Sequence, residues 1–145
     1  SGTSVTATRL KQETMLLLGA GHCFRDHVLE VCPEFARFSS QTEGIAKSFE
    51  GSSLETIRHM VAAGLGVTLV PRLAVPAEAL AAPVRRGKAD KALVRYLPLA
   101  ADGAGEAPTR RVALVWRRSF TRYEAIAALR NAVVACALPG VTRLP

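Results

Sequence analysis

Aromatic side chains are scarce, at 6% of the chain, so any core must be assembled from Ala, Val and Leu. No run reaches the ~18 to 20 apolar residues needed to cross a bilayer, so no membrane association is expected. The first nine residues lack the apolar stretch of a secretory signal. Three cysteines are an odd number, which argues against a static extracellular disulfide framework. A reducing, cytoplasmic setting is expected instead, where a cysteine pair serves catalysis, redox sensing or metal binding. The formal net charge is +7, yet the basic residues form no long stripe. They occur as pairs, Arg85-Arg86, Arg110-Arg111 and Arg117-Arg118, without interleaved aromatics and without a helix-turn-helix pattern. Those pairs read as a solvated surface, and no DNA-binding residue is expected in this chain.

What remains is a chain of 145 residues, 49% apolar and 21% charged. That suffices for one domain, or for two small lobes sharing hinge strands, and it excludes disorder by composition. Met15-Leu16-Leu17-Leu18 is a short apolar run ending at Gly19-Ala20-Gly21, which reads as a buried strand entering a turn. Phe24, Val28, Leu29 and Cys32 then recur at helical spacing until Pro33 stops the pattern. Phe35 to Ser40 reads as a further strand. Ser52 and Glu55 form a capping box for a helix whose stripe is Leu54, Ile57, Val61 and Ala62, and which Gly64 ends. Val67 to Val70 reads as a buried strand closed by Pro71. The alternation β–α–β–α–β argues for an α/β sheet. Ala77 to Lys91 is Ala-rich and basic without a clean period, suiting a short helix and a loop. Val94 to Leu99 reads as a strand, 101–109 as a Gly-containing linker, Arg111 to Trp116 as a strand, and Tyr123 to Leu138 as an amphipathic helix.

The chemistry concentrates in Gly21-His22-Cys23-Phe24-Arg25-Asp26-His27. Cys23 follows a Gly-rich turn at a helix start, where open amides and the helix dipole favour thiolate over thiol. His22 and Arg25 add positive or proton-donating groups. A thiolate is the species that a peroxide oxidises to sulfenic acid, and Cys32 is a candidate resolving thiol that condenses with it. Nine positions along one helix are a rise of roughly 13 Å and about half a turn of net rotation. A disulfide needs Cα atoms about 4.4 to 6.8 Å apart. If the segment is helical when reduced, bridging must unwind it, and oxidation becomes a structural signal. Other readings stand beside this one. Cys32 lies on an apolar stripe and also suits simple core packing, as does Cys136 in the last helix. His22, Cys23, His27 and Cys32 are zinc-ligand types, but the spacing offers no CxxC or HxxxH pair, and no metal site is expected. His59 reads as a surface residue.

On these residues the chain resembles the peroxide-sensing OxyR family of LysR-type transcriptional regulators. The resemblance rests on Gly21-His22-Cys23-Phe24-Arg25-Asp26 with Cys32 nine positions on, and on Ser53 through Gly64 followed by Gly66-Val67-Thr68-Leu69-Val70-Pro71. It continues through Tyr96-Leu97-Pro98, Arg110 to Arg117 and Arg122-Tyr123-Glu124, and covers roughly Leu10 to Leu138. It implies a periplasmic-binding-protein-like α/β fold of two lobes joined by crossover strands. It implies that Cys23 is peroxidatic, that Cys32 is resolving, and that His22 and Arg111, with Arg110 beside it, line the peroxide pocket. Arg25 and Asp26 match positions that support the reduced loop. The expected layout is a tag or linker over 1–9, a redox-sensing lobe over 10–100, the linker 101–109, and over 110–145 the crossover strand and C-terminal helix of the first lobe. The family's winged helix-turn-helix has no counterpart here. Neither does the first half of the first lobe, which carries the threonine the family sets beside the peroxide.

The function implied is hydrogen-peroxide sensing in a transcriptional activator, without a cofactor and without enzyme turnover. Its implied partners, through the intact protein, are a homodimer or tetramer, promoter DNA and RNA polymerase, with a glutaredoxin- or thioredoxin-type reductant. One alternative is a LysR-type effector domain that binds a small organic inducer and has silent cysteines. Another is a thiol peroxidase, which would need a complete pocket and a reductant.

Overall fold

The computed structural model describes residues 4–38, 48–81, 93–103 and 105–144. Its centre is β2 (Met15–Leu18), whose four residues are all buried. An all-apolar run of this length is covered on both faces, as in parallel sheets. It pairs in parallel with β3 (Ser48–Gly51), Met15 opposite Ser48 and Leu18 opposite Gly51. On its other edge, Leu16 donates its amide to the Val67 carbonyl at 2.8 Å, and Val67 donates to Thr14 at 2.9 Å. The expected strand Val67 to Val70 is therefore a single bridge. Thr68 continues the contact through its side chain, Oγ1 donating to the Leu16 carbonyl at 2.7 Å. This approach requires Gly66, because a Cβ there would stand 2.3 Å from the Thr14 carbonyl oxygen.

The turn after β2 passes through Gly21, whose φ of +92° is the left-handed region that glycine tolerates. It leads into α2 (Cys23–Val31). After Pro33 comes α3 (Glu34–Phe38), where a strand was the expectation for Phe35 to Ser40. Pro33 suits a helix start, because its missing amide would have had no intrahelical partner. The Cys32 and Pro33 carbonyls accept the amides of Phe35 and Ala36 at 3.2 Å. Residues 39 and 40 lie outside the described residues. Strand β3 had no alternating signal and was not anticipated.

Helix α4 (Leu54–Ala62) is capped by Ser53, not Ser52: Ser53 Oγ accepts the Thr56 amide at 3.1 Å. Glu55 is then one position too early to close a capping box and pairs instead with Arg58 at 2.8 Å. At the other end Leu65 donates to the Met60 carbonyl and Gly64 to that of Val61, a Schellman closure. A 3-10 turn (Arg72–Ala74) and α5 (Ala77–Ala81) follow. The rest of the Ala-rich basic stretch, with Arg85-Arg86, lies outside the described residues.

The remaining elements depart further from expectation. Residues 94–98 carry no ladder, and only β4 (Leu99–Ala100) pairs, in parallel with β1 (Val5–Thr6). Pro98, which has no amide, offers only its carbonyl, which accepts the Val5 N–H at 3.0 Å. Residues 5 and 6 are thus part of the fold where a bare tag or linker was expected over 1–9, and α1 (Ala7–Leu10) follows them. The linker over 101–109 is tied at its start, since Asp102 accepts from the Thr8 amide at 3.0 Å and the Thr8 hydroxyl at 3.1 Å.

Two apolar clusters flank β2. One comprises Leu10, Met15, Leu17, Val28, Cys32 and Phe35, and the other Leu16, Leu18 and Ile57. Phe24 packs against both. By contrast, 111–116 forms no strand, and α6 (Tyr123–Ala135) buries none of its residues. A strand needs a ladder partner and an amphipathic helix a surface to cover, and among the described residues neither is supplied.

Candidate functional site

The site is built on α2. His22 is its N-cap, in extended backbone, and makes no side-chain cap. No side chain caps the amides at the start of α2, unlike at Ser53, and the Arg25 amide turns back to the His22 carbonyl at 2.9 Å. Cys23 is the first helical residue and is exposed. Cys32 is the C-cap, donating its amide to the Val28 carbonyl at 2.9 Å, and its side chain is 0% exposed. Burial pushes the Cys32 thiol up to about 11, with the carboxylates of Glu34 and Asp102 adding to the shift and Lys11 opposing it. Lys11 is held by Glu34 at 2.5 Å. At Asp102, desolvation works upward, but hydrogen bonds from the Thr6 and Thr8 side chains and the Thr8 amide hold the carboxyl below its ordinary value. All three cysteines are free thiols.

Arg25 folds back beneath the start of α2. Its Nη1 donates to the Leu18 carbonyl at 2.8 Å and pairs with the Glu50 carboxylate. Asp26 is exposed in the first turn, where a carboxylate suits the dipole, and makes no ion pair among the described residues. Arg110 reaches the site through Phe24, its guanidinium 5.5 Å from the ring centroid. Arg111 is exposed, with no hydrogen bond or ion pair among the described residues. The structure thus brings His22, Cys23, Arg25 and, through Phe24, Arg110 to one end of α2, and sets Cys32 at the other. Glu50 was missed by the sequence reading. It lies 25 positions from Arg25, and no local pattern signals such a pair.

The four zinc-ligand types are not gathered, and no cluster of three or more His, Cys, Asp or Glu side chains suited to a metal occurs among the described residues. His27 is half-buried, with Nδ1 unpartnered, and His59 is exposed in the last turn of α4. Cys136 is the exposed C-cap of α6, its Sγ donating to the Ala132 carbonyl at 3.3 Å. Core packing was expected there, but among the described residues nothing covers α6. No helix among the described residues is long and apolar enough to cross a membrane.

Residues 1–136 match the LysR substrate binding domain. The hydrogen peroxide-inducible genes activator of Dickeya chrysanthemi is 39% identical over 126 residues, 85% of this chain and 35% of that protein. The DNA-binding transcriptional dual regulator OxyR of Escherichia coli K12 is 40% identical over 121 residues, 81% of this chain and 33% of that protein. The chain therefore spans about a third of the length of these curated relatives. A reduced form of OxyR from N. meningitidis superposes with a TM-score of 0.75 at 33% identity, over 99% of this chain and 59% of that one. A full-length OxyR variant from Pseudomonas aeruginosa gives 0.63 at 34% identity, over 100% of this chain and 41% of that one. With its α/β architecture and its paired thiols at the two ends of α2, the chain belongs to the LysR substrate-binding domain family, among relatives of the OxyR type.

Proposed function

We propose that this chain is the hydrogen-peroxide-sensing part of a LysR-type transcriptional activator, and that it reports through Cys23 and Cys32. The observation that carries the reading is their asymmetry. Cys23 is exposed at an uncapped helix start, and Cys32 is buried at the far end of the same helix. The Cys23 thiolate attacks one peroxide oxygen, giving a sulfenic acid and hydroxide. The Cys32 thiol then displaces the sulfenic oxygen, giving the disulfide and water. Because α2 holds the two Cα atoms roughly 13 Å apart, the second step requires α2 to come apart. The chemistry thereby becomes a change of surface.

His22, Arg110 and Arg111 support the peroxide pocket in this reading, and Arg25 and Asp26 support the reduced loop. Residues 10–100 are the redox-sensing lobe, and 110–145 complete a first lobe whose other half lies outside this chain. The exposure of Val112, Val115, Trp116, Leu129 and Val133 supports that division. In the intact protein, subunit packing in a dimer or tetramer carries the change to promoter DNA and RNA polymerase in the cytoplasm. A glutaredoxin- or thioredoxin-type protein reverses it. Sensing needs one oxidation per signal, so the chain acts as a switch and not as an enzyme.

The test is intact mass and peptide mapping after one molar equivalent of hydrogen peroxide. Loss of about 2 Da, two hydrogens, with a Cys23–Cys32 linked peptide and Cys136 still alkylatable, is expected. Unchanged thiols, together with a Cys23→Ser protein that still answers a small organic inducer, would move the reading to the effector-binding alternative.

A further inference from the structure

One guanidinium makes the polar attachment of the first turn of α2 to the rest of the described fold. Among the described residues, Arg25 is the only side chain of residues 23–26 that hydrogen-bonds or ion-pairs beyond the helix. It joins three elements: its own helix, the last residue of β2 through the Leu18 carbonyl, and β3 through Glu50. The pairing of β2 with β3 sets Glu50 opposite Leu17, one step from Leu18, so carbonyl and carboxylate present themselves together. The Arg25 side chain is only 12% exposed, while that of Glu50 is 48% exposed. A guanidinium so far withdrawn from water needs a carboxylate, and Glu50 supplies it.

This arrangement belongs to the dithiol state, since both cysteines are free in it. The Cys32 end of α2 is embedded among Leu10, Met15, Leu17, Val28 and Phe35. The Cys23 end is held by Arg25, by Phe24 in the core and by Arg110 over that ring. Joining the sulfurs requires Cα atoms about 4.4 to 6.8 Å apart, so the weaker end has to move, and Cys23 carries Arg25 with it. Any interaction made in the dithiol and lost in the disulfide shifts the balance between them.

We propose that Glu50 is a positioning residue that holds Arg25 on the Leu18 carbonyl, and so sets how readily the Cys23–Cys32 disulfide forms. The inference rests on the reading of these two cysteines as the switch. Glu50 touches neither peroxide nor sulfur. It acts on the folded dithiol and biases the pair toward reduction.

The experiment is a thiol–disulfide titration of the protein in glutathione buffers, quenched by alkylation and read by mass. Two protein thiols reduce one glutathione disulfide to two glutathione thiols, giving one Cys23–Cys32 bond. Glu50→Gln keeps the shape and removes the charge. It is expected to raise the equilibrium constant for disulfide formation about five-fold, the effect of one charge-assisted contact at a half-exposed site. Glu50→Asp, which keeps the charge on a shorter arm, is expected to fall between. Arg25→Gln is expected to shift the constant at least as far, and the double variant no further than Arg25→Gln alone. A role confined to general stability would lower the melting temperature and leave this constant unchanged. A Glu50→Gln protein with the parental constant overturns the proposal. A parent protein that forms no Cys23–Cys32 disulfide overturns both the proposal and the reading on which it rests.

Discussion

Cys23 and Cys32 stand at opposite ends of the same nine-residue helix, one exposed and the other fully buried. The pair is therefore unequal before any oxidant arrives. Alkylation of the native protein at neutral pH is expected to modify Cys23 and Cys136 and to spare Cys32 until the protein is unfolded, as peptide mapping over time would record. Equal labelling of Cys23 and Cys32 would contradict the burial.

The raised Cys32 thiol has a consequence for stability. Its folded value is about 11 against an ordinary value of 9.0. The native state thus holds this proton more tightly than the unfolded chain does. The contribution is fully present below pH 9 and is lost as pH rises from about 9 to about 11. Urea midpoints across that window are expected to fall more steeply for the parent than for Cys32→Ala, the difference between the two curves isolating Cys32 from lysines and tyrosines that titrate nearby.

Gly66→Ala is expected to destabilise the protein by about 1 to 3 kcal/mol. The added Cβ meets backbone, the Thr14 carbonyl oxygen at 2.3 Å, and backbone cannot rotate away as a side chain can. The loss should appear as a lower denaturant midpoint with an unchanged slope.

The cap of α4 offers a comparison within one dipeptide. Ser53→Ala removes the acceptor for the Thr56 amide and is expected to cost about 1 kcal/mol. Ser52→Ala is expected to stay within about 0.5 kcal/mol. Chemical denaturation of the two variants distinguishes them, and the reverse order would restore Ser52 as the cap.

Arg110 over Phe24 is a cation–π contact between the segment before α6 and the residue next to Cys23. A double-mutant cycle of Arg110→Gln and Phe24→Leu is expected to give a coupling of about 0.5 to 1 kcal/mol, the range for an exposed pair. Additive losses would mean that the stacking carries no energy.

The Cys23–Cys32 segment was legible in the residues because its pattern is local. Gly21 supplies the turn, Cys23 follows at the helix start, periodicity carries the helix to Cys32, and Pro33 ends it. Nine positions of helix separate the thiols by simple rise, whatever surrounds them. The β2 run and the α4 stripe were equally readable, since burial of one apolar face dictates their spacing.

What only the tertiary structure decided depends on partners distant in the chain. Whether 67–70 or 111–116 forms a strand is a matter of ladder partners, and among the described residues the first finds one bridge while the second finds none. Glu50 reaches Arg25 only because β3 lies beside β2, and Arg110, not Arg111, meets the loop, over the ring of Phe24. The apolar residues of α6 and Cys136 read as core by pattern, and none of them is buried. Periodicity specifies which face of a helix seeks burial, and only the neighbouring chain decides whether that face is covered.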